Sequence, residues 1–190
     1  MIYSIQSLES VPSDEQFYVD ANILYFIYFC DQDSKINKTK SKTYLKFITK
    51  LQNSGNQLHI SALNLQELVH VAEKAELEKY CQNNNIRMTL KKYRDIQEER
   101  LIIQDKLETI LQQICSTYFV TDEFVDLNTI HLLIKTYNRH RFDPIDFLAV
   151  CPKCRDCKSV SQNFNIITDD SDFKKNSKFR NDPNINLYTI

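Results

Sequence analysis

The sequence predicts an α/β protein: a three-layer α/β/α sandwich around a central, mostly parallel sheet of about four or five short strands, with an added helical elaboration. Two patterns predict it. Short apolar runs suited to strands alternate with segments of helical periodicity, and acidic residues fall just after or near several of those runs, where an open parallel sheet binds its ligands. The 190 residues suit one domain at roughly 100–200 residues per domain, so residues 1–190 are read as a single unit with a helical arm at about 75–114.

Each element has its own reason. Phe17 to Asp20 is a short β run, and the following stretch, Asn22 to Phe29, is apolar on every side and opens on a capping-type Asn, which favours a buried helix. Asp31 to Lys40 is polar and reads as a loop. Lys42 to Leu51 has apolar residues at helical spacing, and Asn53-Ser-Gly55 ends it with a C-cap signal. Leu58 to Ile60 is a second strand. Asn64 to about Asn83 and Thr89 to about Ile114 read as charged helices, and Asp126 to Tyr137 as another. Asp143-Pro144 opens a helix at the position proline favours. Asn165 to Thr168 and Asn186 to Thr189 complete the strands.

Composition excludes several classes. The longest apolar stretch, Ile23 to Phe29, is far short of the ~20 residues that span a bilayer. Met1 to Glu9 has neither the basic flank nor the apolar core of a secretory signal, so the expected location is the cytoplasm and the expected state of the six cysteines is reduced. A single glycine, Gly55, removes P-loops and dinucleotide fingerprints, which need several. With 24 basic and 25 acidic residues the net charge is −1. Any nucleic-acid role must then be local to a site, since bulk phosphate neutralisation needs a basic protein.

The carboxylates supply that site. Asp20 ends the first strand, Glu67 lies one turn into the helix after the second, Asp146 opens a later helix, and Asp169 and Asp170 follow the third. Acids crowded on one rim repel and hold protons unless a cation neutralises them, and an all-oxygen set points to Mg²⁺ or Mn²⁺. Each acid also has an ordinary explanation. Glu67 is three residues after Asn64 and Asp146 three after Asp143, as in capping boxes; Asp169-Asp170 and Asp20 suit turns. The conjunction of all of them favours the site.

Taken together the residues resemble the PIN-domain nucleases. Tyr18-Val-Asp20-Ala-Asn22 resembles the first motif, Ile60-Ser61 through Glu67 the second, Asp143-Pro-Ile-Asp146-Phe-Leu-Ala149 the third, and Ile166-Ile-Thr168-Asp169-Asp170-Ser171-Asp172-Phe173 the fourth, with Asp169 where the family has Asn. The resemblance implies an endoribonuclease that hydrolyses single-stranded RNA with Mg²⁺ or Mn²⁺. It makes Asp20, Glu67, Asp146 and Asp170 the catalytic metal ligands and Asn22, Thr168, Asp169 and Asp172 their supports. Asp169 and Asp170 compete for one ligand position, Asp170 being the expected one. Toxins of the VapC type within this family imply an antitoxin or other protein partner and pairing into a homodimer; a processing or defence nuclease is the other form. The alternative class is a non-catalytic PIN-like module that binds protein or RNA. Arg139 and Arg141, just before Asp143, are candidates to touch substrate phosphates. Cys151, Cys154 and Cys157 form a C-x₂-C-x₂-C run, but a structural zinc wants four ligands and the four histidines are scattered, so thiols are expected there.

Overall fold

A computed structural model of the chain describes residues 1–29, 35–121, 130, 163–175 and 181–190. The elements are β1 (Ile2–Ser4), a 3₁₀ turn (Ile5–Ser7), β2 (Gln16–Val19), α1 (Ala21–Tyr28), α2 (Lys35–Asn53), β3 (Gln57–Ser61), α3 (Ala62–Asn84), α4 (Leu90–Arg94), α5 (Gln97–Thr117), β4 (Phe119–Thr121), β5 (Phe164–Ile167), α6 (Ser171–Lys175) and β6 (Ile185–Thr189). The strands form one sheet of six, ordered β1-β6-β5-β2-β3-β4, and every pairing is parallel. The expected α/β class is present, with two more edge strands than the apolar runs indicated. Both β1 and β4 are three residues long, too short for alternation to register. Among the described residues, no helix is long and apolar enough to cross a membrane.

The strands read as their burial requires. All residues of β5 and β6 are buried, the near-continuous apolar pattern of strands covered on both faces. One face of the sheet meets α1, α2 and α3 through a common core. Phe17, Ile23, Leu24, Tyr44, Leu51, Ile60 and Leu68 are all fully buried in it. The Tyr188 ring anchors this layer: Tyr3 stacks on it at 5.1 Å, Phe17 meets it edge-on at 5.1 Å, and Phe47 of α2 lies at 5.8 Å. Aromatic pairs of this kind add about 0.5–1.5 kcal/mol each beyond area burial.

Three local expectations are corrected. Helix α2 begins at Lys35, not after Lys40, because Lys40 is drawn into the fold by an ion pair with Asp169 that no local pattern could indicate. The long helix expected from Thr89 is two. Thr89 caps α4 through Lys92 N, and the chain turns at Asp95-Ile96 before α5, with Tyr93 buried and its hydroxyl donating to Glu99 at 3.1 Å. Helix α3 starts at Ala62, capped by Ser61 and not by Asn64. The helices expected at 126–137 and from Asp143 lie outside the described residues, except for Ile130, which is helical.

Where α2 hands over to β3, Asn56 is buried and satisfies three main-chain groups. It accepts from Glu15 N at 2.9 Å and donates to Pro12 O at 2.7 Å and Leu51 O at 3.0 Å. Gly55 precedes it at φ +77°, where an added Cβ would come within 2.9 Å of Asp14 Oδ1. Replacing Asn56 by Ala strands Glu15 N and Pro12 O, while Leu51 O keeps the backbone amides of Ser54 and residue 56, at about 1–3 kcal/mol for each left without a partner. Asn56→Ala is expected to lower the melting temperature by about 5–10 °C; calorimetry showing a change within about 1 °C would contradict this account of the α2–β3 junction.

Candidate active site

The sheet order places a crevice between β2 and β5. From β2 the chain moves through α1 and α2 to β3 and on to β4, towards one edge. From β5 it moves through α6 to β6, towards the other. Adjacent strands whose connections leave in opposite directions open a gap at their carboxyl ends, which is where such sheets bind ligands. Asp20 follows β2 and Thr168 follows β5 at this gap, and the two segments are tied by Asp20 N donating to Ile167 O at 3.0 Å.

The side chains continue the tie. Thr168, wholly buried, donates its hydroxyl to Asp20 Oδ2 at 2.6 Å and accepts from Asp170 N at 3.0 Å. Asp170 Oδ1 in turn accepts from Asp172 N at 2.8 Å, shaping the start of α6. Asn22, in the first turn of α1, accepts from Asp169 N at 3.3 Å. From the other side of the crevice Asn64 donates to Asp20 Oδ1 at 3.4 Å, presented by α3, whose first turn is set by the Ser61 cap on Leu63 N and Asn64 N. Asp20, Thr168, Asp170 and Asp172 are thus linked in one network of hydrogen bonds, and the Asn22 side chain, which also bonds Asp20, joins Asp169 to it.

Glu67 is half-buried and lies three residues beyond Asn64 on α3, and residues at that spacing share a helix face. With the cap at Ser61, Glu67 falls in the second turn, so the capping-box reading of this acid is removed. Asp169 departs from what was expected of a metal competitor. Its Oδ2 pairs with the Lys40 ammonium and its Oδ1 accepts from Tyr44 at 3.1 Å; the ammonium also stands 4.8 Å from the Phe26 ring centre. Asp146, Arg139, Arg141, Cys151, Cys154 and Cys157 lie outside the described residues.

Three participants escaped the sequence reading. By local pattern Asn64 is a cap and Lys40 a loop residue. Tyr44 was read only as one of the apolar positions of its helix. Lys40 and Tyr44 reach an acid more than a hundred positions away, and nothing in the local pattern marks such a pairing.

Electrostatics follow from burial. Asp20 is lifted from its ordinary value of 3.8 to about 6, chiefly because burial penalises the charge, with Asp170's negative charge adding to the rise and the Thr168 hydroxyl opposing it. Burial and the neighbouring Asp169 carboxylate likewise push the Tyr44 phenol up. Among the described residues no three His, Cys, Asp or Glu side chains form a group that could hold a metal. The carboxylates of Asp20 and Asp170 are oxygen ligands of the kind hard divalent cations take, while Thr168 and Asn64 donate from their hydroxyl and amide NH₂ to Asp20.

No family model matches the chain, and no curated protein matches it. Among solved structures, a chain of the crystal structure of VapBC2 from Rickettsia felis bound to a DNA fragment from their promoter is similar to it with a TM-score of 0.47 and 13% identity, over 92% of this chain and 98% of that chain.

Asp20 contributes to the pH dependence of the metal-free protein. Its folded value lies above its unfolded one, so the group favours folding fully below about pH 4 and loses that contribution as pH rises through about 6. The loss is on the order of 3 kcal/mol. Denaturant titrations in EDTA should show wild-type stability falling relative to Asp20→Asn across that window; a difference that does not vary with pH would show Asp20 to be solvated.

Proposed function

We propose that the chain is a divalent-metal-dependent endoribonuclease that hydrolyses phosphodiester bonds of single-stranded RNA. The observation that supports this most is Asp20: a carboxylate buried beside a second acid, at the crevice where the strand connections diverge, with its proton affinity raised to about 6. Burying such a group without a cation weakens the folded state, and the resemblance to PIN-domain nucleases accounts for it. Asp20, Glu67, Asp146 and Asp170 are the proposed ligands of Mg²⁺ or Mn²⁺. A cation there would activate water and neutralise the charge that develops as the bond from phosphorus to the 3′ oxygen breaks.

The chain's own residues have narrower tasks. Thr168 holds Asp20 in one rotamer and, through Asp170 N, fixes where β5 turns into α6. Asn22 fixes the backbone at Asp169. Asp169 is engaged by Lys40 and Tyr44, which favours Asp170 over Asp169 as the ligand. The same ion pair favours a second reading, a non-catalytic PIN-like module, because it lowers the negative charge of the crevice. Following the VapC-type resemblance, the nuclease would be held by an antitoxin or another protein partner and would pair with a second copy; a processing or defence role is the other form.

Purified protein should cut single-stranded RNA in Mn²⁺ or Mg²⁺ and stop in excess EDTA. Asp20→Asn, Glu67→Gln, Asp146→Asn and Asp170→Asn should each reduce cutting about a hundred-fold or more, and Thr168→Val about 10–100-fold. Mn²⁺ should raise the melting temperature of the wild type but not of Asp20→Asn. Indifference to Mn²⁺ together with absence of cutting would select the non-catalytic module.

A further inference from the structure

Helix α2 has six lysines (35, 38, 40, 42, 46 and 50) and no acidic residue in its 19 positions, in a chain whose net charge is −1. The helix sorts them by direction. Lys40 lies on the side of Tyr44, Phe47 and Leu51 and reaches Asp169. Lys38, Lys42, Lys46 and Lys50 follow at four-residue spacing on a different side, each step rising about 6 Å along the axis. Lys38, Lys42 and Lys46 are exposed, and among the described residues none of them has an ion-pair partner. Like charges at this spacing repel, so the row is a surface of unrelieved positive charge.

A groove runs beside it. Lys50 donates to Leu8 O at 3.5 Å and to Glu9 O at 3.1 Å, strapping the segment after the 3₁₀ turn to the helix. Above that strap a cavity of about 380 Å³ is lined by Ile5, Gln6 and Leu8 on one wall and by Lys42, Lys46 and Phe47 on the other. Ammonium groups along a groove are the component of sequence-tolerant single-strand sites that follows the backbone; Phe47 in the lining is buried against Tyr188.

We propose that this lysine row and its groove are a track for the sugar–phosphate backbone of single-stranded RNA, on the side of α2 turned from the crevice. The row starts at the N-terminal end of α2, the end at which Lys40 meets Asp169 beside the crevice. A strand lying along it passes the end of the helix nearest the crevice. The identity of the strand as RNA rests on the nuclease reading; the contact itself requires no metal.

The test uses the full chain in EDTA and a fluorescein-labelled single-stranded oligoribonucleotide, with affinity measured by anisotropy over a series of KCl concentrations. In the triple variant Lys38→Gln/Lys42→Gln/Lys46→Gln the slope of log affinity against log salt should fall by about 2, near 0.7 for each phosphate contact removed, with the melting temperature unchanged. In Mn²⁺ the same variant should raise KM and leave kcat in place. An unchanged slope and KM in a variant that still cuts overturns the track and leaves the nuclease standing. RNA held with the expected slope loss but cut by neither protein supports the track and removes the nuclease. Poly-glutamate displacing the RNA at equal charge concentration assigns the row to an acidic protein and overturns the proposal.

Discussion

Everything at the crevice depends on keeping one carboxylate out of water. Asp20 is held by Thr168 from the end of β5 and by Asn64 from the start of α3, so three segments far apart in sequence must be in register before the group has partners. These hydrogen bonds do not replace the hydration of a full charge, and the raised proton affinity of Asp20 is the residue of that deficit. A structure organised only for stability would place an amide or a methyl group here. Retaining the acid fits the proposed metal site.

The same register brings α2 against the crevice. The Tyr188 ring, gripped by Tyr3, Phe17 and Phe47, fixes the pitch of that helix on the sheet. One consequence is that Lys40 meets Asp169 and neutralises it; another is that Lys38, Lys42 and Lys46 are exposed. Net charge concealed this. A balance of 24 against 25 averages a wholly basic helix with acids gathered elsewhere, and only the distribution of charge, not its sum, decides where a polyanion can lie.

How far the molecule can be read from its residues varies with the range of the forces involved. The strands β2, β3, β5 and β6 were legible as short apolar runs, which burial on both faces produces in β5 and β6, and the acid following β5 and the one following β2 were legible because a parallel sheet binds at its carboxyl ends. The break between α4 and α5 was not, since it turns on Tyr93 finding a buried place and on Glu99 receiving its hydroxyl, whereas the local pattern is helical throughout. Nor was the start of α3: Ser61 and Asn64 are equally good caps by type, and only the end of β3 at Ser61 chooses between them.

By itself, then, the order of residues determined the α/β class and the placing of Asp20, Thr168 and Asp170 at strand ends, because alternation, burial and turn chemistry are local and leave periodic marks. Tertiary structure alone decided the six-strand order, the diverging connections that open the crevice between β2 and β5, and the partners Asn64, Lys40 and Tyr44. Those depend on the helices packing at one particular angle on the sheet, and a contact made across more than a hundred residues leaves no trace in the spacing of either partner's neighbours.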